Sequence, residues 1–269
     1  MSTLDVQQTK QDALLQKAYR AFFTPGKYEA KSGELEVVRS GTSSRVPSAA
    51  GELALTTWGV GPAVLLMHGW GGSRAQMSGF VQPLLDAGCR VVAYDQPAHG
   101  ESDGATTNIL QITPTLDPIA QREGPFEAVI AHSFGTLITS LALSRNLLAP
   151  PSRLVYLGAF NRLLDSIPRF LAQARLPESM TGPFLSRLYA EFGRDLMESI
   201  ANERLVKGIS ARALLFHDAS DNVTPVEDSR AVAAAWKTAR LVETTGLGHR
   251  GGLQAPHVIA QAVQFLREQ

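Results

Sequence analysis

The stretch "AVIAHSFGTL" (Ala128–Leu137) sets a serine after small apolar residues and ahead of an apolar, helix-length segment. Ser133 either ends a strand as an ordinary polar residue or is raised at a sharp strand-to-helix turn, where its hydroxyl can act as a nucleophile. Small residues at Ala131 and Gly135 let such a turn close without a side-chain clash. A serine hydroxyl is a weak nucleophile until a base takes its proton, and the base needs a carboxylate to orient it. Downstream, "TTGLGHRGG" places His249 in a glycine-rich loop after the last predicted strand, and "HDASDNVTP" places Asp221 in the loop after the preceding one. Asp218 is the rival acid. Asp221 is preferred because it lies further beyond the strand and precedes "NVTP", where the chain turns into its next helix. The expected catalytic set is Ser133, Asp221 and His249.

Acyl chemistry also needs donors for a developing oxyanion. In "LLMHGWGGS" a strand ends in His-Gly and runs into a glycine-rich loop, so the backbone N–H of Trp70 is one expected donor. The N–H of Phe134, directly after Ser133 and at the start of a helix, is the other. The remaining histidines read as structural: His68 braces the loop, His132 points to the opposite strand face from its neighbour Ser133, and His99 with Ser102 supports a turn. His217 at a strand end and His257 near the last helix read as structural or solvated. No His-Glu-x-x-His, paired-cysteine, Gly-x-Gly-x-x-Gly or Walker signature occurs, so neither a metal nor a cofactor is expected.

Elements that position these residues are legible in outline. Ala13, Leu14, Ala18, Tyr19 and Phe22 recur at helical spacing, and "TPG" at Thr24–Gly26 ends that helix. "GELEVVRS" and "GELALTTWG" read as strands joined by the loop "GTSSRVPSAA". Six short apolar runs then begin at Pro62, Arg90, Glu127, Arg153, Arg212 and Ala239. Several lack period-two alternation, as strands covered on both faces do. Helix-length stretches separate them, which predicts a mostly parallel sheet in a three-layer α/β/α sandwich. The connection between the runs at Arg153 and Arg212 is too long for one crossover. Its apolar spacing, interrupted by Pro168, Pro177 and Pro183, predicts a small inserted helical cap. The expected division is residues 1–50 as an N-terminal helix and first strand packed on the core, 51–160 with 209–269 as the core, and 161–208 as the cap.

The chain has 269 residues, 25 acidic and 25 basic, and a single cysteine, Cys89. The cancelled charge points away from nucleic acid and from anionic membranes, and one cysteine allows no intrachain disulfide. No secretory leader or bilayer-spanning run is apparent, so a soluble cytoplasmic protein is expected.

Taken together, "HGWGG", "YDQPAHGESDG", "AHSFG", "HDASDNVTP" and "GLGHRG" resemble the α/β-hydrolase fold superfamily on its serine esterase/lipase side, from about Gly51 to the C-terminus. The chain departs from the pattern at Ala131, usually glycine, and at "PAHG", often Pro-Gly-His-Gly. The resemblance implies an eight-stranded, mostly parallel sheet with a cap after the sixth strand. It implies Ser133 as nucleophile, Asp221 as acid, His249 as base, and Trp70 and Phe134 as oxyanion donors. The expected activity is carboxylesterase-like hydrolysis (EC 3.1.1) of a small or medium, largely uncharged ester by way of an acyl-enzyme. The same machinery serves thioesters, amides, lactones, carbon–carbon bonds or perhydrolysis, and a silent ligand-binding protein can retain the fold. Serine at the elbow excludes the dehalogenase and epoxide hydrolase branches, which use aspartate there. No oligomeric state follows from these residues.

Overall fold

The computed structural model describes residues 3–268. Its short apolar runs pair into one eight-stranded sheet: β1 (Thr42–Ser48), β2 (Gly51–Trp58), β3 (Ala63–Met67), β4 (Arg90–Tyr94), β5 (Phe126–His132), β6 (Arg153–Leu157), β7 (Arg212–Asp218) and β8 (Ala239–Thr244). The spatial order is β1-β2-β4-β3-β5-β6-β7-β8. Strand β2 runs antiparallel to β1 and to β4, and every other neighbouring pair is parallel.

Helices α1 (Thr3–Phe22) and α2 (Ser32–Ser40) precede the sheet, and a 3-10 turn (Arg74–Phe80) with α3 (Val81–Asp86) links β3 to β4. Next come α4 (Ile109–Ile112) and α5 (Leu116–Glu123) before β5, and α6 (Phe134–Ser144) before β6. Between β6 and β7 lie α7 (Ser166–Gln173), α8 (Thr181–Phe192), α9 (Arg194–Ser199) and α10 (Asn202–Leu205). Helix α11 (Val226–Ala235) precedes β8, and α12 (Gly248–Gly251) and α13 (Pro256–Arg267) follow it.

Strand alternation sorts the core into two layers. Leu65, Met67, Val129, Ala131, Leu154 and Tyr156 pack with Ile119, Leu137 and Val232 of α5, α6 and α11. Val64, Leu66, Ala128, Ile130, Val155 and Leu157 pack on the other face with Leu84 of α3 and Ile259 of α13. With both faces covered, these strands carry continuous apolar runs instead of alternating ones. Each buried Leu, Ile, Val or Met among them contributes about 1.5–3 kcal/mol by leaving water.

The N-terminal elements differ from the sequence reading. The segment read as a strand at 33–40 is α2, and the segment read as a loop at 41–50 contains β1. "ELEV" mimics period two, but Glu34 accepts the Lys31 N–H at 2.9 Å and the Tyr28 hydroxyl at 2.9 Å, which fixes a helical first turn. Strand β1 is a polar edge strand in which Val46 alone is buried. Its seven-residue register against β2 makes it a strand, and edge strands carry polar residues and proline for good reason.

After β3 the chain crosses to β4 on one side, and after β5 it crosses to β6 on the other. The carboxyl ends of β3 and β5 therefore flank a crevice, the place where sheets of this kind receive ligands.

Candidate active site

The turn from β5 into α6 is built around Ser133, which has φ 52° and ψ −123°. Its N–H donates to the Leu157 carbonyl at 2.8 Å. Its own carbonyl accepts from the Thr136 N–H at 2.9 Å and the Thr136 hydroxyl at 2.6 Å. The turn leaves no room for side chains at two glycines. A Cβ at Gly135 would stand 2.6 Å from the His68 carbonyl oxygen, and one at Gly69 would stand 2.9 Å from Ser133 Cβ. Those contacts bring the loop after β3 against the elbow.

His249 reaches Ser133 from α12. Its Nε2 lies 3.0 Å from Ser133 Oγ, and its Nδ1 lies 2.7 Å from Asp221 Oδ2. A carboxylate only accepts, so Nδ1 carries the proton and Nε2 is left to accept the serine O–H. The Asp221 carboxylate is almost wholly buried, and burial pushes its pKa up. That effect is outweighed by hydrogen bonds from His217 and His249 and by the Thr224 N–H, which hold Asp221 well below the usual carboxylate range. Its Oδ1 accepts the N–H groups of Val223 at 2.8 Å and Thr224 at 3.0 Å.

The structure brings Asp221, and not Asp218, to His249. Asp218 stands at the end of β7, where Oδ1 accepts from the Ser220 N–H at 3.0 Å. Its Oδ2 accepts from the Thr244 hydroxyl and the Leu247 N–H, each at 2.9 Å. It ties the loop that carries His249 to β7, and these bonds outweigh desolvation to hold its pKa low.

Trp70 and Phe134 line the same crevice as Ser133. Among the described residues, neither backbone N–H donates to a protein acceptor. Their rings meet edge to face at 5.6 Å. The loop between β3 and Arg74 is held by two neutral histidines. His68 Nε2 accepts the Gln96 N–H at 3.0 Å, and His99 Nε2 accepts the Gly71 N–H at 3.0 Å. Burial pushes His68 down to about 4, and burial with the neighbouring His68 pushes His99 down to about 3. Ser102 closes the turn after β4 by donating to the Asp95 carbonyl at 2.6 Å.

Two contributors escape sequence reasoning. His132 Nε2 donates to the His249 carbonyl at 2.9 Å, so this neighbour of Ser133 positions the backbone of the imidazole opposite it. Burial pushes His132 down to about 3, consistent with a neutral ring. His217 Nε2 donates to the Thr224 carbonyl at 2.9 Å and lies 3.3 Å from Asp221 Oδ2, while Nδ1 meets Ser229 Oγ at 2.6 Å. It backs the acid at the same Oδ2 that His249 engages. The four-residue spacing from His217 to Asp221 was visible; that the loop folds back over the strand end was not.

Above Ser133 lies a cavity of about 710 Å³, within the size range that takes small-molecule ligands. Phe160, Leu163, Phe170, Leu188 and Phe192 supply much of its apolar lining, and Gln76, Asn108, Arg169 and Gln173 also face it.

Residues 64–262 match the alpha/beta hydrolase family. The chain belongs to that family. Similar solved structures include an esterase from Exiguobacterium antarcticum (17% identity, TM-score 0.67, covering 84% of this chain and 100% of that one). A lipase described as putative from Acinetobacter baumannii is 18% identical, with TM-score 0.68, covering 90% of this chain and 98% of the other. A bromoperoxidase from Bacillus anthracis is 15% identical, with TM-score 0.64, covering 84% and 99%. At these identities the likeness concerns the hydrolase fold. No curated protein matches significantly. Among the described residues, no helix of this hydrolase is long and apolar enough to cross a membrane.

Proposed function

We propose that this hydrolase cleaves carboxylic ester or closely related acyl bonds of small or medium, largely uncharged substrates through a Ser133–His249–Asp221 triad. The observation that carries the reading is the position of His249, with one ring nitrogen on Ser133 Oγ and the other on Asp221. Ser133 Oγ attacks the acyl carbon as His249 Nε2 takes its proton, and the carbonyl electrons move onto oxygen. The Trp70 and Phe134 N–H groups receive that oxyanion; losing one such donor typically costs about 3 kcal/mol of transition-state stabilisation. Collapse of the tetrahedral species expels the alcohol, which takes the proton from His249. Water then attacks the acyl-enzyme with His249 again as base, releasing the acid and restoring Ser133. Asp221 stays ionised throughout, stabilising the imidazolium and fixing its tautomer.

In this reading the segment 161–208 is a cap that roofs the acyl site, residues 51–160 with 209–269 are the catalytic core, and 1–50 packs on it. The apolar rings that line much of the cavity favour an uncharged ester among the substrates such a triad takes.

Intact-mass analysis after treatment with a fluorophosphonate tests the proposal. One adduct is expected on the wild type, none on Ser133→Ala, and slowed labelling on His249→Ala. Absence of an adduct on folded wild-type protein would overturn the assignment of Ser133 as an activated nucleophile.

A further inference from the structure

Helix α1 lies before the stretch that matches the hydrolase family, yet its last turn reaches the cavity above Ser133. Ala21, Phe22, Phe23 and Thr24 all line it. We infer that the end of α1 is one wall of the acyl-binding site, and that Phe22 and Phe23 select esters with a linear apolar acyl chain of medium length. The inference rests on the ester-hydrolase reading given above.

The wall is tethered at both ends. Toward the core, the Thr107 N–H donates to the Phe23 carbonyl at 2.8 Å. Just beyond the helix, Gly26 packs against the loop that bears Trp70, since a Cβ at Gly71 would stand 3.5 Å from the Gly26 carbonyl oxygen. Toward the β6–β7 helices, the Tyr19 hydroxyl donates to Glu191 at 2.7 Å, and the Arg187 guanidinium lies 4.3 Å from the Tyr19 ring centroid. Tyr19 meets Phe184 at a tilt with centroids 5.1 Å apart, Phe22 meets Phe170 and Phe184 at 5.2 Å each, and Phe23 meets Phe192 at 6.0 Å. Aromatic rings of this kind have few rotamers, so the wall is stiff and its position is set by both layers it touches.

A strut needs only the buried ring of Tyr19 and its latch to Glu191. Phe22 and Phe23 are only partly buried, and each presents surface to the cavity. Phe170 and Phe192, in edge contact with them, and Leu188 continue this apolar surface along the same cavity. Apolar rings packed edge to face along a cavity beside the nucleophile give an alkyl chain a surface to lie against, and the chain's length is limited by where that surface closes the cavity.

The test is the ratio of kcat/KM for p-nitrophenyl decanoate to that for the butyrate, with labelling of Ser133 by a fluorophosphonate as the check on folding. Phe22→Ala and Phe23→Ala widen the wall and are expected to raise the ratio about tenfold, the discrimination an apolar pocket gains or loses with a methylene or more. Ala21→Phe, at an exposed position on the same turn, extends the wall and is expected to lower it by a similar factor. Ratios within twofold of wild type in all three variants, each still labelled at Ser133, would overturn the inference and leave α1 as a strut. Should the wild type neither label nor turn over, the hydrolase reading fails on its own. The wall is then read by a fluorescent decanoic acid analogue, whose Kd should rise about tenfold in Ala21→Phe; an unchanged Kd would overturn it.

Discussion

Ser133 occupies a backbone conformation that a non-glycine residue rarely adopts, at a cost of about 1–3 kcal/mol. The hydrogen bonds to Leu157 and Thr136 hold it there, and the result is a hydroxyl lifted toward His249. The two aspartates of "HDASD" divide the work at the other end of the imidazole. Asp221→Asn would remove the acceptor that fixes the His249 tautomer, and kcat should fall by about 10⁴ with little change in fold. Asp218→Asn would weaken the bonds from Thr244 and Leu247 that anchor the His249 loop, so its main effect should be on thermal stability, with a smaller loss of kcat. Measuring kcat and Tm for both variants checks the division; an Asp218 variant that is stable but as inactive as the Asp221 variant would reverse it.

At the scale of elements, the loop after β3 that carries Trp70 is fixed to the end of β4 by a buried ion pair. Arg74 Nη1 binds Asp95 Oδ2, and the Arg74 N–H donates to Asp95 Oδ1 at 2.6 Å. The Glu101 N–H also donates to Asp95, at 2.9 Å. Both side chains are buried, so removing the Asp95 charge leaves Arg74 with Glu101 alone as its counter-ion; removing one partner of a buried pair typically costs about 3–5 kcal/mol. Asp95→Asn should therefore lower the unfolding free energy in urea by about that amount, and it should slow turnover because the loop carrying Trp70 loses its anchor. A loss under about 1 kcal/mol would show that the loop is held by His68 and His99 instead.

For the molecule as a whole, buried neutral histidines predict acid sensitivity. His68, His99 and His132 are each pushed below the ordinary imidazole value by burial. As pH falls through about 6.5 the unfolded chain takes up protons that the folded protein does not, so stability is lost on the acid side and retained above it. Each such histidine contributes a slope of about 1.4 kcal/mol per pH unit until its folded-state value is reached. Asp218 and Asp221, held below the usual carboxylate range, add loss of the same sign at still lower pH. Tm should be nearly constant above about pH 7 and fall steeply from about 6 toward 4. A flat Tm across that interval would mean that these rings are protonated in the folded state.

Much of this architecture was legible in the chain. Six apolar runs became β3 to β8 within a few residues because strands buried on both faces write their burial directly into composition. The order of Ser133, Asp221 and His249 at the ends of β5, β7 and β8 likewise comes from local signals, since turns and strand ends carry glycine and polar residues for reasons of backbone geometry. The α2 and β1 segments were misread because an edge strand is specified by its partner, not by its own apolar content, and because a short helix with one buried face imitates alternation. Tertiary structure alone decided that His217 backs Asp221, that His132 holds the His249 carbonyl, and that Phe22 and Phe23 face the cavity. These contacts join residues distant along the chain or depend on how a loop folds back. Periodicity and spacing register the local environment of a residue; which far element will cover it is set only when the sheet, the helices and α1 pack together.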